Sequence, residues 1–532
     1  MAGPPTPDVP DVPFLDDEGP VDRHTFVVHH LVPGIVATSL ITLGSLGVGW
    51  LPLRTNLFDD TLVRVLHETD IGKGIARSFV IVGGALLLQT WLVLGVDVLS
   101  GRIRDVQRMW ILLASWCAPL VFAIPLFSRD VYSYFAQGKL VAAGLDPYNG
   151  SGVSMVPGWA LDGVDPMWAE TPTPYGPFFL MIERGIATLV GAQPVAAALL
   201  FRLVALGGVA LLAYYLPRLA FLHGIDPVKA LWLGVLNPLV LMHFVAGVHN
   251  DALMVGLIVM GLTLAAEKHP IAGLLVLGLA GSVKPIALLA VPFAGLLWAG
   301  RRAGWGRRIA TWAGSAALSL GTIVVLGAMI GVGFGWLNAL STPGVVRTWL
   351  SPSTAIGMLV GGAGSLLGHP EVLDPAVTVV RDIAMLAAVV FVAWLCLRPE
   401  GRTPVRSAAL AFAAVVVLGP VVQVWYLLWA LPLVAATGLR RPWHLRAIIL
   451  GTAAFVFYGL AESSATADSF IELQDGLAVV VSVAAVALAA LASPRERELV
   501  LGDQYAAGLT PDDAPARARA QQLVVVGPHG DG

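Results

Sequence analysis

The chain has 532 residues, 57% of them hydrophobic and only 13% charged, with a formal net charge of −3. An ordinary globular domain carries about 25% charged residues, so this chain has too few to coat a water-facing surface. With a mean hydropathy of +0.78, these values exclude a soluble enzyme, a disordered chain and a basic partner of nucleic acid. An all-α, polytopic integral membrane protein is what remains.

Residues 1–30 are rich in Pro and Asp and lack the basic stretch that opens a cleavable signal. They read as a disordered cytoplasmic tail, and the first apolar run as a retained helix. Apolar runs then recur at 31–52, 78–100, 109–127, 197–217, 228–246, 252–267, 270–283, 285–300, 309–333, 376–397, 405–420, 421–438, 446–461 and 476–493. Each crossing needs about 20 such residues. Two further runs, 178–192 and 355–367, are short, the first interrupted by Glu183 and Arg184 and the second by glycines. Basic connections around Arg102, Arg218, Arg301, Arg398, Arg440 and Arg495 all fall inside if those two short runs lie at the outer interface. This predicts one helical domain over 31–493 with about fourteen transmembrane helices plus external interfacial helices. Both termini are inside, with a second tail over 494–532. Arg54, Arg64, Lys73 and Arg77 then fall outside, against the bias. Cys117 and Cys396 sit within apolar runs and read as buried small apolar residues rather than a disulfide.

On this topology the longest hydrophilic stretch, 128–177, is external. Asp130 stands three residues beyond an apolar run, at the membrane boundary, where an ionisable group is a candidate for function or an ordinary boundary charge. Tyr132, Tyr134, Tyr148 and Tyr175 suit either an interfacial belt or the binding of a sugar. His249, Asn250 and Asp251 make a second polar cluster at a tight turn, as a site or as helix caps. Lys284, Arg202 and Arg347 are cations at the outer side, placed to pair with a lipid-linked phosphate or to snorkel to headgroups. A lone His beside Asn and Asp lacks the spaced ligands of a zinc site, and the sequence demands no metal or other cofactor. No phosphate-cradling GxxxxGK[ST] loop or GxSxG elbow occurs.

The segments FSRDVYSYFAQGKLVAAGLDPYNG, TPYGPFF, GVHNDALM and SVKP together resemble the polyprenol-phosphomannose-dependent α-1,6-mannosyltransferases of actinobacteria, a family of integral-membrane GT-C glycosyltransferases. The resemblance covers about residues 30–490. It implies a GT-C fold in the plasma membrane, with a polyprenyl-phosphate-mannose donor, a mannosylated lipid acceptor and membrane lipids as partners. The product would be the mannan core of lipomannan and lipoarabinomannan. It makes Asp130 the acidic residue of the external loop, with His249, Asn250, Asp251, Lys284 and Pro285 matching the family's HND turn and Lys-Pro. Many GT-C enzymes carry two adjacent acids after their first helix, and Asp59 with Asp60 form such a pair here. The denser polar surroundings of Asp130 favour it as general base. Lys284, then Arg202, then Arg347 are the candidates for the phosphate clamp. The rival from another class is a secondary transporter or flippase of lipid-linked sugars, although transporters place substrate groups near the bilayer midplane. Another sugar, such as arabinose or glucose, also fits the motifs.

Overall fold

The computed structural model describes residues 19–52, 55–148, 152–300, 302–340, 344, 347–439, 441–462, 493–502 and 505. Among these, every regular element is helical. Six helices are long and apolar enough to cross a bilayer: α1 (Arg23–Val48), α3 (Asp70–Leu99), α7 (Pro194–Leu222), α12 (Trp305–Ile330), the span Pro370–Leu397 that contains α14 (Leu373–Leu397), and α17 (Pro442–Glu462). Between them lie α2 (Thr61–Glu68), α4 (Val106–Leu120), α5 (Asp130–Ala142), α6 (Pro177–Val190), α8 (Pro227–Gly234), α9 (Asp251–Ala266), α10 (Pro270–Val283), α11 (Val291–Ala299), α13 (Pro352–Leu366), α15 (Pro404–Leu418) and α16 (Leu427–Thr437). A last helix, α18, spans Pro494–Leu501. The chain is a multi-pass membrane protein. Its outer face agrees: α14 exposes Val379, Ile383, Leu386, Val389 and Val390, side chains that need lipid around them.

Of the fourteen crossings expected from hydropathy, six are single helices of spanning length among the described residues. Apolar composition does not see where a helix breaks. The run 228–246 is α8 and a π-helical segment, Val240–Ala246, parted at Asn237 and Pro238. That segment and α9 meet at an angle of 115°, which raises the count to seven if the bent pair is one span. Helix α4 stops at Leu120, so residues 121–127 run on irregularly toward Asp130. A 14-residue helix such as α10 is about 21 Å long, short of the roughly 30 Å hydrocarbon core. The run 476–493 lies almost wholly outside the described residues.

Residues 23–30, assigned to a tail by composition, are helical and form the first part of α1. Buried His30 lies 2.9 Å from Asp97, which also takes Arg102 at 2.8 Å. Apolar counting misses this because a helix that ends in a polar cluster carries no hydropathy there. Likewise α18 occupies 494–501, where a second tail was expected.

α1 and α3 are antiparallel partners. One end of α1 meets Asp97 and Arg102, while Trp50, just past its other end, meets the segment that leads into α5. At 26 residues, α1 spans about 39 Å. The cationic loop at Arg102 and the acidic start of α5 therefore lie at opposite ends of the bundle. α7 and α9 approach closely, since a Cβ on Gly208 would sit 2.3 Å from the backbone of Ala252. That contact fixes the start of α9, and with it the position of the HND turn.

Candidate active site

Four segments far apart in sequence are stitched together at one end of the bundle. The amide of Gly176 donates to the Val283 carbonyl at 3.1 Å, and that of Phe178 to Ser282 Oγ at 2.9 Å. These bonds lay the PYGP segment against SVKP. A Cβ on Gly176 would fall 2.6 Å from the Ser282 carbonyl oxygen. Gly176→Val is therefore expected to destabilise the protein by about 1–3 kcal/mol, the usual cost of overpacking, read as a lower thermal midpoint in detergent. The amide of Leu126 donates to Ala246 at 3.3 Å, which joins the segment before α5 to the HND turn. Phe127 (φ 66°) and Val248 (φ 57°) adopt left-handed backbone immediately before the two polar motifs. For a β-branched valine this is costly. The surrounding bonds hold it there.

The deepest element of the site is an ion pair. Asp251, at the first turn of α9, is fully buried, and both carboxylate oxygens meet Lys284 Nζ, at 3.1 and 2.9 Å. Trp429 Nε1 of α16 donates to the same carboxylate at 2.6 Å. The ammonium also faces the rings of Tyr175 (5.8 Å), Tyr426 and Trp429 (both 5.6 Å), an aromatic cage. Burial opposes the charge on Lys284, but the Asp251 carboxylate outweighs it and holds the ammonium above the usual lysine range.

Asp130 lies nearer the rim. Its side chain keeps 20% exposure, whereas Asp251 keeps 0%. Its amide donates to Ser128 Oγ at 3.0 Å. Its carboxylate stands 3.4 Å from His249 Nδ1, close but without an aligned hydrogen bond. The His249 ring stacks on Trp425, with centroids 3.7 Å apart. Burial works against ionisation of Asp130, yet His249, Lys284 and Ser128 together hold its carboxyl below the usual range. The group is ionised at neutral pH and reachable. The Asn250 side-chain carboxamide and Trp425 Nε1 are buried and unpartnered among the described residues, so they suit the hydroxyls of a sugar. Among the described residues no group of three or more His, Cys, Asp or Glu is placed to hold a metal.

Comparison with known proteins gives this geometry a context. Residues 31–300 match the model of the alpha-(1->6)-mannopyranosyltransferase N-terminal domain, and residues 353–492 match the MptB C-terminal domain. An alpha-(1->6)-mannopyranosyltransferase of Mycobacterium tuberculosis is 35% identical over 499 residues, 83% of either chain. The chain belongs to the alpha-(1->6)-mannopyranosyltransferase family. A probable alpha-(1->6)-mannopyranosyltransferase of Mycolicibacterium smegmatis is 36% identical over 495 residues, 86% of either chain. Alpha-(1->6)-mannopyranosyltransferase B of Corynebacterium glutamicum is 28% identical over 467 residues, 80% of this chain and 76% of its own. No solved structure matches the chain.

For a mannopyranosyltransferase, the candidates singled out in the sequence divide into two groups. Asp130, His249, Asn250, Asp251, Lys284, Tyr134 and Tyr175 come together. Tyr134 Oη accepts from the Asn250 amide at 3.3 Å, and its ring meets that of Tyr175 edge-on. The others are engaged elsewhere. The Tyr132 hydroxyl donates to the Trp50 carbonyl at 2.5 Å, and that of Tyr148 to the Tyr175 carbonyl at 2.7 Å. Buried Arg202 spends its guanidinium on the carbonyls of Val121, Val245 and Ala246. Arg347 is exposed and pairs with Asp374 of α14 at 2.7 Å. Asp60 caps α2, accepting from the amides of Leu62 and Val63. Asp59→Asn and Asp60→Asn are accordingly expected to keep mannosyl transfer near wild type, measured in membranes and normalised to protein level.

Sequence reading missed Trp425, Tyr426 and Trp429. The signal available was QVWYLLW at the head of an apolar run, with Gln423 and three large aromatics in seven residues. Tryptophan at such a boundary is ordinarily an interfacial anchor, so the pattern by itself does not single them out.

Proposed function

We propose that the chain transfers mannose from polyprenyl-phosphate-mannose to the 6-hydroxyl of a mannan acceptor, building the core of lipomannan and lipoarabinomannan. In this reading the GT-C fold lies in the plasma membrane with its short apolar helices also embedded. Residues 128–177 form the catalytic loop on the external face.

The observation that carries the reading is the pair of acids at one site with different surroundings. Asp251 is sealed and neutralised by Lys284, while Asp130 is ionised and keeps 20% side-chain exposure. One acid is structural and the other can reach a substrate. Asp130 takes the proton of the acceptor hydroxyl as its oxygen attacks the anomeric carbon. The bond from that carbon to the phosphate oxygen breaks, and polyprenyl phosphate leaves with the electron pair. A single displacement inverts a β-linked donor to an α product. Lys284 adds positive charge beside the developing phosphate through the one ammonium proton that Asp251 does not occupy. His249, Asn250, Tyr134 and Tyr175 face the sugars.

The test is purified protein in proteoliposomes with polyprenyl-phosphate-mannose and a short α-1,6-mannooligosaccharide. An oligosaccharide one mannose longer, cleaved by an α-1,6-mannosidase, supports the reading. Translocation of the donor with no longer product would make the protein a flippase instead.

A further inference from the structure

A phosphate leaving group needs donors that are not already spent. Arg202 gives its guanidinium to three backbone carbonyls, Arg347 is paired with Asp374, and Lys284 has one proton to spare beside Asp251. A fourth cation is adjacent to the base itself. Arg129 lies over the Trp50 ring, its guanidinium carbon 3.8 Å from the centroid. Its half-buried side chain makes no hydrogen bond among the described residues, and its buried Nε is unpartnered. Stacking occupies the face of a guanidinium and leaves its in-plane N–H fork free, the arrangement suited to bidentate phosphate.

The platform under it is built. Trp50 donates its amide to Pro125 at 2.9 Å, and its carbonyl accepts from Tyr132 Oη at 2.5 Å. Ser45 Oγ accepts from the amide of Ile124 at 2.8 Å, which ties the end of α1 to the same segment. Two bonds thus hold the Trp50 backbone and a third holds the neighbouring turn, which places the residue beside Arg129. Although consecutive in the chain, Arg129 and Asp130 diverge: the carboxylate turns to His249 and the guanidinium to Trp50. Base and leaving-group partner must address opposite sides of the reacting carbon, so divergence is what an inverting displacement asks of two neighbours.

We propose that Arg129, held flat on Trp50, binds the phosphate of the lipid-linked sugar donor. The proposal rests on the transfer reaction above. During the step its N–H groups donate to the phosphate oxygens as they gain the electron pair of the broken bond.

The experiment uses the full chain in phosphatidylcholine nanodiscs, comparing wild type with Arg129→Ala, Arg129→Lys and Trp50→Leu. The readouts are donor and acceptor KM, kcat, and binding of radiolabelled polyprenyl phosphate. Arg129→Ala is expected to lower kcat/KM for the donor by about 10–150-fold, the worth of charge-assisted hydrogen bonds. The acceptor KM should not move, and polyprenyl phosphate binding should fall in parallel. Arg129→Lys, which keeps the charge but not the fork, and Trp50→Leu, which removes the platform, should each lose part of the same quantity. If Arg129→Ala does not fold, Arg129→Lys decides. Unchanged donor kinetics and phosphate binding in the variant that folds would overturn the assignment while leaving the transfer reaction intact. Arg129-dependent binding of polyprenyl phosphate by a wild type that transfers no mannose would keep the site and sink the reaction. Displacement of polyprenyl phosphate by an equal mole fraction of phosphatidylglycerol would make Arg129 a headgroup ligand, and so overturn the proposal.

Discussion

Asp130→Asn is expected to lower mannosyl transfer by about 10²–10⁴, the usual worth of a positioned general base. An amide has nearly the same shape as the carboxylate but cannot take the acceptor proton. The substitution alters one contact at the rim of the site, that with His249 at 3.4 Å, so the variant should insert and fold as wild type does. Donor binding should change little, because the cations proposed to meet the phosphate are other residues. The pH profile of wild type adds a second check. Protonation of Asp130 would abolish the proposed base, and its carboxyl is held below the usual range. The acid limb of kcat/KM is therefore expected below the range of an ordinary aspartate, and that limb should be missing from the residual rate of the Asn variant. Near-normal turnover in Asp130→Asn, with collapse in Asp59→Asn or Asp60→Asn, would place the base in the preceding hairpin instead.

The parts of this site legible in the sequence are those where charge is out of place. Asp130, the HND turn and Lys284 border apolar runs, and an ionisable group there is costly enough to need a reason. What sequence cannot supply is how each cation is spent. Arg202 and Lys284 are equivalent in hydropathy and in expected depth. Yet one caps carbonyls 81 and 43 residues away, while the other meets Asp251 within an aromatic cage. Only the fold decides between them. Tyr132 is a similar case: its residue type suits an interfacial belt or a sugar, and only the fold shows its hydroxyl bonded to the Trp50 carbonyl. Helix breaks were illegible for a related reason. Asn237–Pro238 breaks the run 228–246, which is apolar on both sides, and hydropathy averages over the break.

Removing Lys284 alone should be costlier than its proposed contact with phosphate implies. Lys284→Ala leaves the Asp251 carboxylate fully buried with only Trp429 as partner. Breaking a buried ion pair by deleting one member typically costs about 3–5 kcal/mol. The variant should therefore show a sharply lower thermal midpoint in detergent, besides failing in transfer. Asp251→Asn should behave alike, because it strands the ammonium. Since Asp251 raises the Lys284 ammonium above its ordinary range, the pair's contribution is present in full below the unfolded lysine value of about 10.4. It is lost only as pH rises through the raised folded value, so the destabilisation should be the same across neutral pH. The double variant Lys284→Met with Asp251→Leu separates the two roles. Replacing both charges with apolar side chains of similar volume is often neutral or stabilising, so stability should return. Transfer should not, because the positive charge beside the leaving phosphate is gone. Recovery of both would make the pair purely structural. A Lys284→Ala variant as stable as wild type would mean that water reaches Asp251, and the distinction between a sealed acid and a reachable one would fail with it.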